Sequence, residues 1–313
     1  MILFPIIPIV FSGRHESDKI KVVTTIFPLM EFAQEVGGER VEVSMLLPPG
    51  ADIHSWRPKP SDILNLSQSD LFILIGKGLE PWAEEILDSV HNPDIKILTV
   101  SNDLDLIRIR ESKGKNIQEK DQTEQTVYDP DHDHDHFQYD PHVWLDFKID
   151  LNIIDKIVDT YGKIDSEGIS YFKENGNEYK NRLIKLDENY RRSLKQCSRR
   201  TLIVGGHAAF GYIARNYGLE QIALYGLNPD TSPTIRQLVS IVETARKHNT
   251  RVIYFETNVS DRLARVIAEE IGAETLVLNP GANLTKAQLN SGVTFFNLME
   301  RNLENLVYGL KDE

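Results

Sequence analysis

Histidines dominate the residues of this chain that could do chemistry. Four of its nine histidines lie within eleven positions of the stretch DHDHDHFQYDPHVWLD, residues 131–146, beginning at His132. Imidazole nitrogens bind Zn²⁺ and its neighbours in the first transition row. Cys197 is the single cysteine, so an intrachain disulfide and a cysteine-based zinc cluster are both excluded. Any metal ligands must therefore be His, Asp or Glu.

Three histidines stand where α/β proteins place their ligands. His54, in LPPGADIHSWRPKPSDI, follows a predicted strand and a Pro/Gly turn. His207, in LIVGGHAAFGYIA, directly follows another predicted strand, and His142 follows a proline in YDPHVWLD. Loops at the carboxyl ends of parallel strands are the usual ligand sites of such sheets. A single loop histidine is more often a surface residue, but three in equivalent positions predict a metal site that one oxygen donor would complete.

Alternating strands and helices must position these side chains. The runs KVVTTIF, VEVSMLL and DLFILIG predict strands, separated by helices at residues 29–36, 60–67 and 81–90. A second series contains RTLIVGG, RVIYFET and AETLVLNPG, with helices near 235–248 and 261–271. The fold class is therefore α/β, with two lobes that each hold a parallel β-sheet flanked by helices.

One long amphipathic helix is predicted between the two series. Apolar side chains recur at three- and four-residue spacing over residues 166–196. A helix of about 30 residues spans about 45 Å, enough to join the lobes rigidly and leave a metal site in the cleft between them. The predicted divisions are an N-terminal lobe at 18–165, the linking helix at 166–197 and a C-terminal lobe at 198–313. A polar, flexible, His-rich insertion is expected at about 111–137.

Net charge and the N-terminal sequence indicate which partners are disfavoured and where the protein is located. The chain has 35 basic and 47 acidic residues, a net charge of -12, which disfavours nucleic acid as a partner. The apolar run MILFPIIPIVFSG predicts a signal peptide, or a truncated remnant of one, over residues 1–17, although its basic n-region is missing. The alternative is an ordinary apolar N-terminal segment that is not a signal peptide. We expect a periplasmic or extracellular, membrane-associated protein that is monomeric.

Several motifs together resemble one protein family. GADIHSWRPKPSDI, GKGLEPWAEEIL, DPHVWLD, GGHAAFGYIARNYGL, LNPDTSPTIRQL and VIYFETNVSDRLARVIAEEIGAETLVLNP are similar, in consistent order, to the metal-binding solute receptors of bacterial ABC transporters for zinc and manganese, the cluster A-I family. The resemblance runs from about residue 20 to 310. It implies capture of one metal ion in the cleft and its delivery to a membrane permease and its ATPase.

The resemblance also implies the ligands. His54, His142 and His207 match the first three ligand positions of the family. Zinc receptors usually have His at the third position and manganese receptors Glu, so His207 favours Zn²⁺, and a Mn²⁺ or iron receptor remains the alternative. The fourth position departs from the family, because Asn279 stands where the family typically has Asp.

Three arrangements are open at this fourth position. Asn279 could coordinate weakly, a water could fill the place, or a carboxylate such as Glu256 in YFETN could move in. We favour the water or a displaced carboxylate, since an amide is a poorer donor to Zn²⁺. Asn279 could equally be an amide that caps a turn before Pro280.

The histidines of the repeating tract have a different expected role. His132, His134 and His136 alternate with Asp and offer many donors without a fixed geometry. They are predicted to be weak accessory metal sites that capture or sense zinc, as in zinc receptors with such loops. The alternative is an acidic tract that binds metal only incidentally. His142, outside the repeat, is the predicted tight ligand.

The main alternative hypothesis is that the protein is an enzyme. Three histidines with an open fourth position also describe a catalytic zinc site. The sequence lacks HExxH, GxSxG and a phosphate loop, and Glu256 is the single carboxylate that could revive the idea as a general base. A third hypothesis, that the protein is a surface adhesin, has no independent support in the sequence. We therefore expect capture of a metal ion without catalysis.

Overall fold

The computed structural model describes residues 19–110, 137–227, 233–257 and 261–312. The predicted signal segment at 1–17 and the tract histidines His132, His134 and His136 lie outside the described residues. The described chain contains two four-stranded parallel sheets and one antiparallel pair of short strands. We call each large sheet with its flanking helices a lobe.

The N-terminal lobe is built on the strand order β2-β1-β3-β4. Its elements are β1 (Ile20–Thr24), α1 (Phe27–Gly37), β2 (Val41–Met45), α2 (Pro60–Ser67), β3 (Leu71–Leu74), α3 (Ala83–Ser89), β4 (Lys96–Thr99), the antiparallel strands β5 (Arg108–Arg110) and β6 (Phe137–Tyr139), and α4 (Phe147–Ile164). All four residues of β3 are buried, as expected for a central strand covered on both faces. The helices predicted at 29–36, 60–67 and 81–90 are confirmed as α1, α2 and α3.

The C-terminal lobe has the strand order β10-β9-β7-β8. Its elements are β7 (Thr201–Val204), α6 (Gly211–Tyr217), β8 (Glu220–Ala223), α7 (Ile235–Lys247), β9 (Val252–Phe255), α8 (Arg262–Ile271), β10 (Glu274–Val277), α9 (Lys286–Asn290) and α10 (Phe295–Leu310). In both lobes the second strand lies on one side of the first, and the third and fourth strands follow on the other side. The two lobes therefore repeat one topology, and each directs the carboxyl ends of its strands to one edge of its sheet.

The long predicted helix is present as α5 (Ile169–Lys195). Its 27 residues span about 40 Å. One side of it is buried through Phe172, Gly176, Tyr179, Leu183, Leu186, Tyr190 and Leu194. Helix α5 packs against α1 and α4 of the N-terminal lobe and against α6 and α10 of the C-terminal lobe. It thus contacts both halves of the molecule.

The hydrophobic core is continuous across the two lobes. A single buried cluster includes residues of both sheets, of α5 and of α10, and a smaller cluster lies beneath α7 and α8. A Cβ atom at Gly176 would lie 2.7 Å from Val158, so glycine is what permits the close approach of α5 to α4. Among the described helices, none is both long enough and apolar enough to cross a bilayer.

Candidate metal centre

Each candidate histidine lies in a loop that faces the cleft. His54 lies in the loop between β2 and α2, and His207 lies between β7 and α6. His142 follows β6, a strand of the antiparallel pair, and immediately precedes a short 3₁₀ turn at Val143–Leu145. The predicted equivalence of all three positions is therefore wrong for His142, because no strand of a parallel sheet leads into it. The turn, not a sheet edge, presents its side chain.

The fold nevertheless brings the three imidazoles together. One ring nitrogen from each of His54, His142 and His207 lies within 4.8 Å of the others. The ring centroids are 5.6 Å apart for His54 and His142, 5.2 Å for His54 and His207, and 5.1 Å for His142 and His207. His142 and His207 are buried, and His54 is half-buried. Two imidazoles from one lobe and one from the other thus converge on a single point.

A carboxylate stands behind His142. Asp140 Oδ1 lies 2.7 Å from His142 Nδ1 and also accepts the main-chain N–H of His142 at 3.0 Å. An ionised carboxylate can only accept, so Nδ1 carries a proton, and in the neutral imidazole Nε2 keeps its lone pair. Such an acceptor fixes the tautomer and the orientation of a metal-binding imidazole.

Glu256 does the same for His207. It lies one residue beyond β9, the neighbour of β7, so the two side chains meet at one sheet edge. Glu256 Oε1 lies 2.6 Å from His207 Nδ1 and 3.3 Å from its main-chain nitrogen. A Cβ atom at Gly206 would lie 2.7 Å from the same oxygen, so this approach depends on glycine. Sequence patterns suggested Glu256 as an alternative fourth ligand; in the structure its Oε1 supports His207.

The two supported imidazoles aim at each other. His142 Nε2 and His207 Nε2 are 3.1 Å apart. When both imidazoles are neutral and donate from Nδ1 to carboxylates, the facing Nε2 atoms both present lone pairs. A proton on one Nε2 or a metal ion bound to both removes the repulsion between the two lone pairs.

His54 is held differently. Asp52 Oδ1 accepts the main-chain N–H groups of His54 at 2.8 Å and Ser55 at 3.2 Å, which fixes the loop and leaves the ring unsupported. Among the described residues, neither ring nitrogen of His54 has a hydrogen-bond acceptor behind it. Burial, together with the neighbouring imidazoles of His142 and His207, lowers the pKa of His54 to about 3. His54 is therefore neutral, and able to bind a metal, at neutral pH.

Asn279 caps a turn beside the site. Its Oδ1 accepts the N–H of Gly281 at 2.8 Å, and Gly281 has a positive φ of 75°. Its main chain exchanges two hydrogen bonds with the side chain of Asn302, at 2.8 and 2.7 Å. Asn279 is buried and lines the cavity. The turn-capping interpretation is thus supported by direct contacts.

The imidazoles open onto a cavity of about 40 Å³. Its lining consists of Ala51, Asp52, Ile53, His54, His142, His207, Glu256, Thr257, Asn279, Pro280, Ala282 and Asn283. This volume is enough for an ion with a water molecule at its side. Two residues of the site, Asp52 and Asp140, are not singled out by metal-ligand patterns. A signal exists, because each lies two positions before a histidine, in DIH and DPH.

Two lobes, each with a parallel sheet, share one long helix and bring three imidazoles together between them. This arrangement defines a two-lobed solute-binding protein with a site for a transition-metal ion. Residues 22–309 match the family described as "Zinc-uptake complex component A periplasmic", and the chain belongs to this family. The members of this family are solute-binding receptors and not enzymes.

Similar proteins agree with this assignment. The chain is 33% identical to the high-affinity zinc uptake system protein ZnuA of Bacillus subtilis, over 94% of this chain and 89% of that protein. It is 31% identical to the zinc-binding protein AdcA of Streptococcus pyogenes, over 92% of this chain but 55% of that longer protein. The Zn(II)-bound ZnuA-like domain of Streptococcus pneumoniae AdcA has a TM-score of 0.75 and 28% identity, covering 94% of this chain and 100% of the other.

Proposed function

We propose that this protein captures Zn²⁺ in the cleft between its lobes and delivers it to an ABC permease for metal uptake. The observation that carries the proposal is the convergence of His54, His142 and His207 within 4.8 Å, two of them backed by carboxylates. The relatives are named for zinc binding and zinc uptake, which supports Zn²⁺ as the cargo. Mn²⁺ is the competing cargo, and three nitrogen donors favour Zn²⁺ over it.

The proposed ligands are the three imidazoles and one exchangeable group. Asn279 Oδ1 is engaged by Gly281, and Glu256 Oε1 is engaged by His207. We therefore favour a water in the fourth position over Asn279 or a displaced Glu256. Zinc would lose most of its hydration shell to His54, His142 and His207 on entering the cavity.

We infer the partners and the location of the receptor from its family. We infer a permease and its ATPase as partners, and a periplasmic or extracellular location, from relatives described as periplasmic or as lipoproteins. We also propose the divisions 18–165, 166–197 and 198–313, and a monomeric protein. The tract histidines His132, His134 and His136 are proposed as weak accessory zinc sites.

The test is a native mass-spectrometry titration of chelator-stripped protein with Zn²⁺, challenged with excess Mn²⁺. We expect one tight zinc that manganese does not displace. His207→Ala should lose it or weaken it at least 100-fold, whereas His91→Ala, at an exposed histidine outside the cleft, should keep it. Deleting residues 131–136 should remove weak zinc ions but not the tight one.

Three results would contradict these proposals. Retention of Mn²⁺ in preference to Zn²⁺ would overturn the zinc assignment. Indifference to His207→Ala would mean that the site must be rebuilt around other residues. Loss of the tight zinc in the deletion variant would contradict the separate roles of His142 and the tract.

A further inference from the structure

One loop of the C-terminal lobe is bonded across the cleft to the N-terminal lobe. It comprises residues 279–284, between β10 and α9, and we call it the strap. Its carbonyls accept hydrogen bonds from three groups of the other lobe: Phe27 N–H to Ala282 at 2.9 Å, Gly50 N–H to Leu284 at 2.9 Å, and Trp144 Nε1–H to Pro280 at 2.6 Å. The strap therefore touches the segments that carry both His54 and His142.

Asn283 makes the side-chain part of this connection. Its Nδ2 donates to the carbonyls of Pro48 and Ala51, both at 2.8 Å, and its Oδ1 accepts the N–H of Leu284 at 2.8 Å. Asn283 as a whole residue is 4% exposed. Both bonds from Nδ2 cross between the lobes and end on the loop that leads, three residues beyond Ala51, to His54.

The strap is fixed at its other end. Asn279, at the start of the strap, is held by two reciprocal bonds with Asn302 of α10. Its Oδ1 then accepts from Gly281 within the strap. Consequently the strap cannot follow the His54 loop freely, and its contacts with Pro48 and Ala51 hold that loop in place.

His54 is the ligand that most needs such support. His142 and His207 each have a carboxylate on Nδ1, whereas the His54 ring has none among the described residues. The position of the His54 imidazole therefore depends on its loop. Pre-organising a ligand in its bound position slows the escape of the metal, because fewer thermal excursions break the coordination.

We propose that Asn283 is a positioning residue that holds the His54 loop from the opposite lobe and thereby sets the rate of zinc release. This inference rests on the proposed function, since it requires His54 to be a zinc ligand. It assigns to the amide of Asn283 a role in cargo retention that involves no contact with the metal.

The experiment measures zinc dissociation from the full chain into excess chelator by stopped flow. Asn283→Ala removes both donors and should accelerate release by about 10-fold or more, the factor expected for two lost hydrogen bonds. Asn283→Ser retains one hydroxyl donor and should give an intermediate rate. Asn175→Ala is the matched control, because Asn175 Nδ2 donates to the carbonyl of Val36 at 3.1 Å, away from the cleft; its rate should stay within about 2-fold of wild type.

A double-mutant cycle separates positioning from a general loss of structure. In a His54→Ala background, Asn283→Ala should change the release rate by less than about 2-fold, because the ligand that it positions is gone. Full multiplication of the two effects would overturn the proposal, as would an unchanged rate for Asn283→Ala alone. If the alanine variant does not fold, Asn283→Ser carries the same cycle.

The two proposals fail in different ways. If wild-type protein takes up no tight zinc at all, the proposed function fails before Asn283 is tested. If wild type holds one zinc and Asn283→Ala releases it at the wild-type rate, only the positioning role fails. The melting temperature of each metal-free variant shows whether Asn283→Ala and Asn175→Ala are destabilised alike.

Discussion

The three candidate ligands differ in what holds each imidazole. Asp140 and Glu256 accept from the Nδ1 atoms of His142 and His207, which orients both rings and leaves their Nε2 lone pairs for the metal. His54 relies on its loop instead. The site is thus partly pre-organised, with two fixed donors and a third whose position is set from the opposite lobe.

Glu256→Gln tests the support of His207. The glutamine oxygen can still accept from Nδ1, but the neutral amide makes the imidazole a weaker donor. We expect zinc affinity to fall about 10-fold for Glu256→Gln and up to about 100-fold for Glu256→Ala. Competition with a chromophoric chelator measures both values.

The matched control is Glu243→Gln, on the exposed side of α7, which should leave the affinity unchanged. The Co²⁺-substituted protein distinguishes support from coordination. If Glu256 only supports His207, the visible spectrum of bound Co²⁺ keeps its shape in Glu256→Gln. A changed spectrum would show that Glu256 is itself a ligand.

At this scale the sequence predicts residue types better than roles. The three histidines are identified from the family resemblance, and His54 and His207 also from their places after strands of the parallel sheets. The acceptor role of Glu256 is hidden, because it depends on β7 and β9 being neighbours in the sheet. Asn279 shows the same limit: only the contacts with Gly281 and Asn302 reveal that its amide is used by the main chain.

Helix α4 contains a buried carboxyl group that the metal site does not use. Asp146 caps the helix, its Oδ1 accepting from Lys148 N–H at 3.0 Å and Ile149 N–H at 3.3 Å. Asp150, one turn later, is fully buried, and neither of its oxygens has a hydrogen-bond partner within the described parts of the chain. Burial, and secondly the charge of Asp146, raises the pKa of Asp150 well above its ordinary value.

This carboxyl should make the protein less stable as pH rises. The folded state binds the proton of Asp150 more tightly than the unfolded state, whose pKa is about 3.9. The contribution of Asp150 to the free energy of unfolding is therefore highest below that value and falls as pH rises towards the folded pKa. In Asp150→Asn this dependence is absent, so the variant should gain melting temperature over wild type, and more so at pH 8 than at pH 5.

Thermal unfolding of the metal-free protein from pH 5 to 8 checks this prediction. Asp159→Asn, at an exposed carboxylate of the same helix, should follow the wild-type profile. A constant difference between Asp150→Asn and wild type over this range would show that Asp150 does not titrate with folding.

The elements themselves were largely predictable. Helices α2, α5 and α7 agree with their predicted spans to within a few residues. The apolar periodicity of α5 is long, and Pro60 and the Thr234 cap mark the starts of α2 and α7. Strands β4 and β8 are not identified, because both are short and only partly buried. The pair β5 and β6 is beyond prediction, since 26 residues, 111–136, separate its strands.

At the scale of the whole molecule, several connections join the lobes within the described parts of the chain. Helix α5 packs on helices of both, and the strap adds bonds on the side of the cleft. A third contact reinforces them, because Glu31 of α1 accepts from Tyr179 of α5 at 2.8 Å and from the N–H of Phe295 in α10 at 2.7 Å. Together they oppose a wide hinge motion, so we expect zinc entry to require local movement of the His54 loop.

Small-angle X-ray scattering can check this rigidity. A compact chain of this length has a radius of gyration of about 20 Å. We expect the metal-free and zinc-loaded proteins to differ by less than about 1 Å in this radius, since α5 and the strap connect the lobes in both states. Metal-free protein with added Mg²⁺, which prefers oxygen ligands, is the control and should match the metal-free curve. A contraction of several ångströms on adding Zn²⁺ would instead mean that the lobes open as rigid bodies, and that the strap bonds to Pro48, Gly50 and Ala51 form only after the metal has bound.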